Sequence, residues 1–261
     1  MALVDKYLSI SVVSHGQIAL VASLLADLAK YCEGLSFECL LTLNITEELP
    51  FDPDGFPFPV IVIRNPQPLG FGANHNKAFQ FSNGRFYCIL NPDIRLMDNP
   101  FPSLIECLED PAVGLVAPLV LGALGKPEDN ARQFPSPVKI LCKAFGKCRG
   151  GDYDVAGSVI RPNWVAGMFM LFRRESFESL NGFDERYFLY YEDVDLCARL
   201  RLENLDILLC PESRVVHLAQ RASHRNLRYL RWHLQSMLRF FVSTPYWRWQ
   251  FRRCKDALRL S

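Results

Sequence analysis

The sequence predicts an α/β fold in which helices cover both faces of a wound, mostly parallel mixed sheet. Apolar, β-rich runs alternate with stretches of helical periodicity in the first half of the chain, and this alternation is typical of parallel sheets. The chain has 261 residues, of which 49% are hydrophobic, so it can bury a substantial core. From residue 221 onward, nine Arg and one Lys stand against one acidic residue. We therefore expect one domain at residues 1–220, followed by a basic, amphipathic helical segment at 221–261.

The first strand is predicted at residues 7–14, YLSISVVS, and helical periodicity follows at residues 17–32. Three further strands are predicted in the runs FECLLTLN, VIVIRN and RFYCILNPD. In a wound sheet, ligands bind beyond the carboxyl ends of the strands, so the polar residues there are the first candidates for a binding site. These residues are Ser14, His15, Asn44, Asn65, Asn91 and Asp93.

The second half of the chain is predicted to contain a long loop, strands and a helix. Residues 122–160 fit either a loop at the edge of a cleft, with Arg132 available to an anionic ligand, or a plain solvent loop. The run WVAGMFMLFRR predicts a buried strand. A helix is predicted to begin at Glu192 and to end near Asn204 in the left-handed region, and two strands follow in LDILLCPES and RVVHL.

Gly70-Phe71-Gly72 joins the third strand to a helix. Backbone amides at such a helix N-terminus can bind phosphate, although two glycines alone more often make a tight turn. The glycine spacing of a dinucleotide-binding fingerprint and the Gly-Lys-Ser/Thr ending of a P-loop are both missing. The turn therefore remains a candidate anion site, but it is neither a dinucleotide-binding fingerprint nor a P-loop.

Asn91-Pro92-Asp93 ends the fourth strand. A carboxylate held at a strand end by a proline-fixed turn can be a hard oxygen ligand for Mg²⁺ or Mn²⁺ that bridges a diphosphate. Taken alone, the tripeptide is more often an Asx-Pro turn without a metal. His217, at the end of RVVH, also has two interpretations, as a structural histidine or as a ligand for Mn²⁺.

Charged and aromatic side chains are dense at residues 181–199, NGFDERYFLYYEDVDLCAR. The stretch is too polar for a buried strand and too aromatic for a disordered loop, so we expect a half-buried site. Glu192 and Asp193 fall in the first turn of the predicted helix, where acids also occur simply because they interact well with the helix dipole. Rings beside a carboxylate restrict water and raise its pKa toward that of a useful base.

This stretch resembles the acceptor-side motif of family 2 glycosyltransferases, especially the bacterial branch of rhamnosyl- and galactofuranosyltransferases. The resemblance rests on Gly-Phe-Asp-Glu followed by Tyr-x-Glu-Asp-Val-Asp-Leu-Cys-x-Arg, and it implies a GT-A fold, which is a Rossmann-like wound sheet. It also implies that Asp193, beside Glu192, is the general base that takes a proton from the acceptor hydroxyl. The residues implied on the acceptor side are Trp164, Gly167, Asp184 and Tyr191.

The resemblance continues on the donor side. The family's Asn-x-x-x-x-Gly-Phe-x-x-x-x-Asn segment is matched at four positions, although the family usually has glycine where this chain has Asn74 and Ala78. Asn-Pro-Asp replaces the Asp-x-Asp metal motif, so Asp93 and His217 would bind Mg²⁺ or Mn²⁺. The residues implied on the nucleotide side are Ser14, Asn44, Asn65, Gly70, Phe71, Asn76, Asn91 and Asp93. The first two belong to strand ends that depart from the family's Ser-Tyr-Asn and Asp-Asn-x-Ser groups.

The resemblance implies an inverting, metal-dependent hexosyltransferase that moves a sugar from a nucleotide diphosphate sugar to a glycan or lipid-linked acceptor in bacterial surface polysaccharide synthesis, of the O-antigen or capsule type. Rhamnose from dTDP-rhamnose is the first expectation, and UDP-galactofuranose or another UDP-sugar is the alternative. A nucleotidyltransferase would need a basic, glycine-rich loop after the first strand, and SHGQIALVAS lacks both features. The missing Asp-Asn-x-Ser group and the single carboxylate of Asn-Pro-Asp also leave open a degenerate transferase domain that only binds a nucleotide sugar or acts as a scaffold.

The cysteine count and the tail indicate where the protein acts. Nine cysteines without a Cys-x-x-Cys pair predict a reducing cytoplasm and neither a zinc site nor a disulfide framework. We expect no signal peptide, no membrane span and no nucleic-acid partner. In the tail, leucines at helical spacing from Leu227 to Leu238 favour a helix packed on the core. Trp247, Trp249 and Phe251 among arginines instead favour an anionic membrane surface, so residues 245–259 are predicted to bind peripherally to the inner face of the cell membrane.

Overall fold

The computed structural model describes residues 7–144, 151–155, 157–218 and 227–259. Within these residues the main sheet has eight strands, in the order β3-β2-β1-β4-β9-β6-β10-β5, and β7 and β8 form a separate antiparallel pair. The strands are β1 Leu8–Ser14, β2 Phe37–Leu43, β3 Val60–Arg64, β4 Phe86–Leu90, β5 Ile94–Leu96, β6 Val113–Gly122, β7 Ala131–Arg132, β8 Trp164–Val165, β9 Phe169–Arg173 and β10 Asp206–His217. The helices are α1 Ile18–Tyr31, α2 Phe71–Phe79, α3 Phe101–Leu108, α4 Pro137–Ala144, α5 Arg174–Ser179, α6 Glu192–Leu202, α7 Leu227–Phe241 and α8 Thr244–Arg259.

The strand directions bring several chain ends to one edge of the sheet. Strands β3, β2, β1 and β4 are parallel, so they all end at this edge. Strand β9 runs antiparallel between β4 and β6, so it begins there. Strand β10 is parallel to β6 and ends opposite the start of β5, where His217 pairs with Ile94. The mostly parallel mixed sheet is the predicted architecture, and the structure confirms it.

Helices pack on both faces of the sheet, as expected for a wound fold. One core contains the apolar sides of α1 and α3, with Leu24, Leu25 and Phe101 fully buried. The other contains apolar residues of α2, α5 and α6, with Phe177 and Leu196 buried among them. The polar residues described below lie at the edge of the sheet where these strands end.

Two predicted details of the second half need comment. The runs LDILLCPES and RVVHL form one strand, β10, because its pairing with β6 only shifts register between Cys210 and Arg214 and then resumes. Asn204 follows α6 with a φ of 62°, so the predicted left-handed residue at the end of that helix is confirmed.

The expectation that the leucines of α7 pack on the core is wrong. Leu227, Leu230, Leu234 and Leu238 are 82%, 54%, 45% and 61% exposed. The helix packs through its other side, where Ser236 and Phe240 are buried. Periodicity correctly gave an amphipathic helix, but the buried side is the one that meets the aromatic residues before α6. In the part of the chain that the structure describes, no helix is long and apolar enough to cross a bilayer.

Candidate active site

Asp93 and His217 meet at the edge of the sheet because β5 and β10 pair there. His217 Nε2 lies 3.1 Å from Asp93 Oδ2, and the backbone N–H of Leu218 donates to the Asp93 carbonyl at 2.9 Å. The opposite ring nitrogen, Nδ1, lies 2.8 Å from Glu128 Oε2. The hydrogen bond with Asp93, together with the Glu128 carboxylate, raises the pKa of His217 to about 9. The predicted pair of metal ligands is therefore adjacent, and a second carboxylate adjoins it.

The atoms at this edge fit a divalent cation. Asp93 Oδ1 is buried and has no hydrogen-bond partner among the described residues, so an oxygen ligand is left over. Nε2 and Oδ2 are separated by about the distance between two ligands of one ion. Within the described residues no three His, Cys, Asp or Glu side chains converge as a ligand set. Mg²⁺ is commonly held by one or two carboxylates with substrate phosphates and water completing the shell, so such a sparse protein site suits it.

The strand ends of β2 and β3 are joined by a network of asparagines. Asn44 Oδ1 accepts from the backbone N–H of Leu69 at 2.8 Å and from Asn65 Nδ2 at 2.9 Å. Asn65 also donates to Asn74 Oδ1 at 2.6 Å and accepts from Lys77 Nζ at 2.8 Å. These bonds fix the loop between β3 and α2, so Asn44 and Asn65 shape the predicted nucleotide side from within the protein. Their direct contact with a ligand stays a prediction.

Ser14 has a partner that the sequence did not reveal. Its hydroxyl donates to Glu47 Oε1 at 3.0 Å, and the same oxygen accepts from the backbone N–H of Ile18. The second oxygen, Glu47 Oε2, is buried without a hydrogen-bond partner in the described residues. Ser14 is itself buried, whereas the next residue, His15, is exposed, so direct contact of Ser14 with a nucleotide stays a prediction.

The glycines at the start of α2 allow another segment to approach closely. The backbone N–H of Phe71 donates to the carbonyl of Phe188 at 2.9 Å, and a Cβ on Gly70 would lie only 2.7 Å from that oxygen. Asn76 binds the next part of this segment, because its Oδ1 accepts from the Phe183 N–H at 2.8 Å and its Nδ2 donates to the Phe183 carbonyl at 2.9 Å. Helix α2 is therefore a support for the residues that lead into α6.

The residues before α6 form a strained aromatic turn. Tyr190 and Tyr191 have φ values of 70° and 67°, a conformation that costs a non-glycine residue about 1–3 kcal/mol. Two side chains of α7, those of Ser236 and His233, contact this turn from outside. Ser236 Oγ donates to the Leu189 carbonyl at 2.9 Å, and the His233 ring lies 5.2 Å and 5.5 Å from the rings of Tyr190 and Tyr191. Strain of this kind is concentrated at functional sites.

The turn places two acids of different accessibility at the start of α6. Glu192 is 5% exposed, whereas Asp193 is half-buried and retains access to solvent. Asp193 Oδ2 accepts from the Gly167 N–H at 3.1 Å, and Oδ1 accepts from the Val194 N–H at 2.8 Å. Burial raises the pKa of both carboxyl groups, and at Asp193 the two backbone N–H groups oppose the rise. Asp193 is therefore the more accessible carboxyl group of the pair, and its role as the base stays a prediction.

Residues 167–168 connect Asp193 with the metal-side turn. The Met168 carbonyl accepts from the Asn91 N–H at 2.9 Å, while the preceding residue, Gly167, donates to Asp193. A Cβ on Gly167 would lie 3.3 Å from the Phe71 ring, so glycine lets the chain pass between that ring and the carboxylate. The predicted base and the Asn-Pro-Asp turn thus flank one dipeptide at the same edge of the sheet.

The acceptor side is bounded by the pair β7–β8, where Arg132 lies opposite Trp164. The Arg132 guanidinium lies 5.4 Å from the Trp164 ring centre and 3.0 Å from Asp129 Oδ2, and its charge lowers the pKa of Asp193. Asp184 is not part of this group, because it pairs with Arg186 at 2.6 Å. Arg132, Trp164, Gly167 and Asp193 are brought together, whereas a ligand contact for Asp184 stays a prediction.

Comparison with known proteins gives a family for this arrangement. A model described as glycosyl transferase family 2 matches residues 42–180, more than half of the chain, and one described as the N-terminal domain of galactosyltransferase matches residues 160–229. Rhamnosyltransferase WbbL of Escherichia coli K12 is 28% identical over 189 residues, covering 66% of this chain and 70% of that protein. N-acetylglucosaminyl-diphospho-decaprenol L-rhamnosyltransferase of Mycobacterium tuberculosis is 30% identical over 149 residues, which are 49% of this chain and 45% of that protein. The match to the mycobacterial protein thus spans less than half of its length.

A solved structure supports the fold. Mannosyltransferase PcManGT from Pyrobaculum calidifontis, in complex with GDP-Man and Mn²⁺, superposes with a TM-score of 0.59 at 16% identity. The superposition covers 89% of this chain and 64% of that one. At this identity the similarity concerns the fold alone, and it agrees with a GT-A sheet.

Proposed function

This chain belongs to glycosyl transferase family 2, and we propose that it is an inverting glycosyltransferase that moves a sugar from a nucleoside diphosphate to an acceptor hydroxyl. The observation that carries the proposal is the half-buried Asp193 carboxylate, bound to the Gly167 N–H and joined through Met168 to the Asn-Pro-Asp turn. A proton acceptor and a diphosphate-binding edge then lie on either side of one dipeptide.

The reaction needs one displacement. Asp193 takes the proton of the acceptor hydroxyl, the oxygen attacks the anomeric carbon, and the bond to the diphosphate oxygen breaks with its electron pair on the nucleotide. Attack from the face opposite the leaving group inverts the anomeric centre. Burial raises the pKa of Asp193, which strengthens the base, while Glu192 beside it is closed off from solvent. Arg132 limits that rise because its positive charge favours the ionised form of Asp193.

Asp93 and His217 would hold Mg²⁺ or Mn²⁺, with the donor's phosphates among the remaining ligands. A bound cation supplies charge neutralisation for the departing diphosphate. The support is the free, buried Oδ1 of Asp93 and the 3.1 Å approach of His217 Nε2 to Oδ2. Asn91 and the asparagine network of the β2 and β3 ends would then face the nucleoside.

Rhamnose from dTDP-rhamnose is the first donor to test, and UDP-galactofuranose is the second. The rhamnosyltransferase names of two relatives support this order, and the mycobacterial name supports a lipid-linked acceptor. The product would belong to a bacterial surface polysaccharide. The test is a panel of nucleotide sugars with Mn²⁺, scored first by thermal stabilisation and then by release of the nucleoside diphosphate. Stabilisation by one donor with metal-dependent turnover supports the transferase, whereas binding without any hydrolysis or transfer would indicate a degenerate binding module.

The tail would dock on an anionic membrane surface, where lipid-linked acceptors reside. Support comes from the exposed leucines of α7 together with Trp247 and Phe251, which are 51% and 65% exposed. Residues 227–255 contain no Asp or Glu, so their arginines complement an anionic surface. The proposed surface therefore includes α7 as well as residues 245–259. Trp249 is not part of it, because its ring packs on that of Phe134, with 5.1 Å between the ring centres.

Liposome co-sedimentation tests this docking surface. Wild-type protein is expected to bind anionic but not neutral vesicles, and less at high salt because the charges are screened. Leu230→Gln combined with Leu234→Gln should weaken binding, since each loses apolar contact with the bilayer. Leu124→Gln is the matched control, because Leu124 is 90% exposed on another part of the chain. Unchanged binding by the double variant would refute the α7 surface.

A further inference from the structure

Glu128 reaches His217 from a hairpin that follows β6. The hairpin is closed by two backbone hydrogen bonds of 2.8 Å, from the Gly122 N–H to the Lys126 carbonyl and from the Glu128 N–H to the Val120 carbonyl. Gly122 pairs with His217 in the β6–β10 register. The returning strand of the hairpin therefore passes beside the histidine at the end of β10.

The missing side chain at position 122 makes room for the Glu128 carboxylate. A Cβ on Gly122 would lie 3.2 Å from Glu128 Oε1, which is tighter than ordinary packing, and 3.6 Å from Glu128 Cγ, which is an ordinary contact. With glycine there, Glu128 folds inward and places Oε2 at 2.8 Å from His217 Nδ1. The side chains of Glu128 and His217 are 30% and 14% exposed, so the contact is shielded from much of the solvent. Exposed ion pairs between two flexible side chains contribute little to stability, whereas this contact is held by packing.

The contact decides which ring nitrogen can bind a cation. A carboxylate accepts hydrogen bonds and cannot donate one, so Nδ1 carries the hydrogen that bonds Glu128. Nε2, which lies 3.1 Å from Asp93 Oδ2, then exchanges its own hydrogen for a cation that binds between these two atoms, while Nδ1 keeps its hydrogen on Glu128. Carboxylates in this outer position orient metal-binding histidines and increase their basicity. We propose that Glu128 is a positioning residue that holds the Nδ1–H of His217 and thereby presents Nε2, beside Asp93, to the catalytic divalent cation.

The inference rests on the proposed metal-dependent function, but Glu128 lies outside every motif on which the resemblance to the family is based. The hairpin also has anchors that do not involve Glu128's carboxylate, because Asn130 Nδ2 donates to the Pro118 carbonyl at 3.0 Å and the Asn130 carbonyl accepts from the Ala166 N–H at 2.9 Å. Removal of the carboxylate should therefore leave the hairpin folded. The side chain can be tested without losing the segment that carries it.

The test measures Mn²⁺ affinity in the presence of dTDP, by calorimetry and by the electron paramagnetic resonance signal of free Mn²⁺. Glu128→Ala is expected to weaken Mn²⁺ binding by about 10-fold to 100-fold. Glu128→Gln should recover part of the loss, because its amide oxygen still accepts from Nδ1–H. The melting temperature without metal should match wild type in both variants. Glu109→Ala is the charge-matched control, since Glu109 is exposed and pairs with Arg85 near the opposite end of β6.

Two outcomes overturn the inference. Mn²⁺ binding by Glu128→Ala equal to wild type would show that Nδ1 needs no carboxylate, and an equal loss in Glu109→Ala would assign the effect to net charge. His217→Ala separates this inference from the proposed function. If His217→Ala binds Mn²⁺ as wild type does, the metal role itself fails; if it loses binding while Glu128→Ala does not, only the role of Glu128 fails.

Discussion

Asp193→Asn is expected to abolish most turnover while the donor still binds. The substitution keeps the shape of the side chain and removes the proton acceptor, so the rate should fall by about 100-fold to 10,000-fold. That range corresponds to about 2.7–5.4 kcal/mol of lost transition-state stabilisation. Asparagine has one acceptor oxygen, so either the Gly167 or the Val194 N–H loses its partner, at a cost of about 1–3 kcal/mol. Removal of a buried charge offsets part of that cost, and we expect a small change in melting temperature.

The assay is release of nucleoside diphosphate at saturating donor and acceptor, with the donor Kd measured separately by calorimetry. Asp195→Asn is the matched control, because Asp195 lies two residues further along α6 and is 2% exposed. It binds Arg199 Nε at 2.8 Å, so its loss should lower stability more and turnover of the folded enzyme less. Turnover of Asp193→Asn within about threefold of wild type would refute the base assignment and transfer it to another group.

Two further predictions concern the support of this carboxylate. Burial raises the pKa of Glu192 above its usual 4.5, so the folded state keeps this proton to higher pH than the unfolded chain and wild-type stability falls as pH rises above that value. Glu192→Gln has no carboxyl group to ionise, so the melting temperature of this variant minus that of wild type should increase as the pH rises above about 4. A difference that does not change with pH would contradict the prediction. Asn76→Ala removes two hydrogen bonds to Phe183 and should cost about 2–4 kcal/mol of unfolding free energy, with a lower kcat because the aromatic turn loosens. Urea unfolding measures the change in unfolding free energy. An unchanged midpoint would show that these hydrogen bonds do not stabilise the fold, and the predicted contact of Asn76 with a ligand would then be the role to test.

Local patterns in the sequence were sufficient for the elements that carry the site. Alternating strands and helices predicted the wound sheet, and the rule that ligands bind at strand ends selected Asp93. The family resemblance assigned His217 as its partner, and the structure places the two side chains 3.1 Å apart. The acids of residues 192–193 were selected by their aromatic surroundings. Each of these signals lies within one strand, helix or turn, so a single sequence contains it.

Features that depend on contacts between distant segments could not be predicted in the same way. Glu128 meets His217 across 89 positions of sequence, and nothing in GKPEDN marks that carboxylate as different from its neighbours. The glycines at 70 and 72 fitted either a tight turn or an anion site, and the sequence could not show that their neighbours are the backbone of Phe188 and the side chain of Phe183. Periodicity showed that α7 is amphipathic, but the choice of the buried side depended on a turn about 40 residues earlier.

Helix α7 has two working sides, and their rigid connection has a mechanical consequence. Its outer side carries Leu230 and Leu234, while its inner side holds the strained turn through Ser236 and through Trp232, whose ring lies 4.7 Å from that of Phe188. The two sides belong to one continuous helix, so a surface that bound the leucines would also contact the element that supports the tyrosines before Asp193. Binding at the exterior and the position of the proposed base would then depend on the same 15 residues.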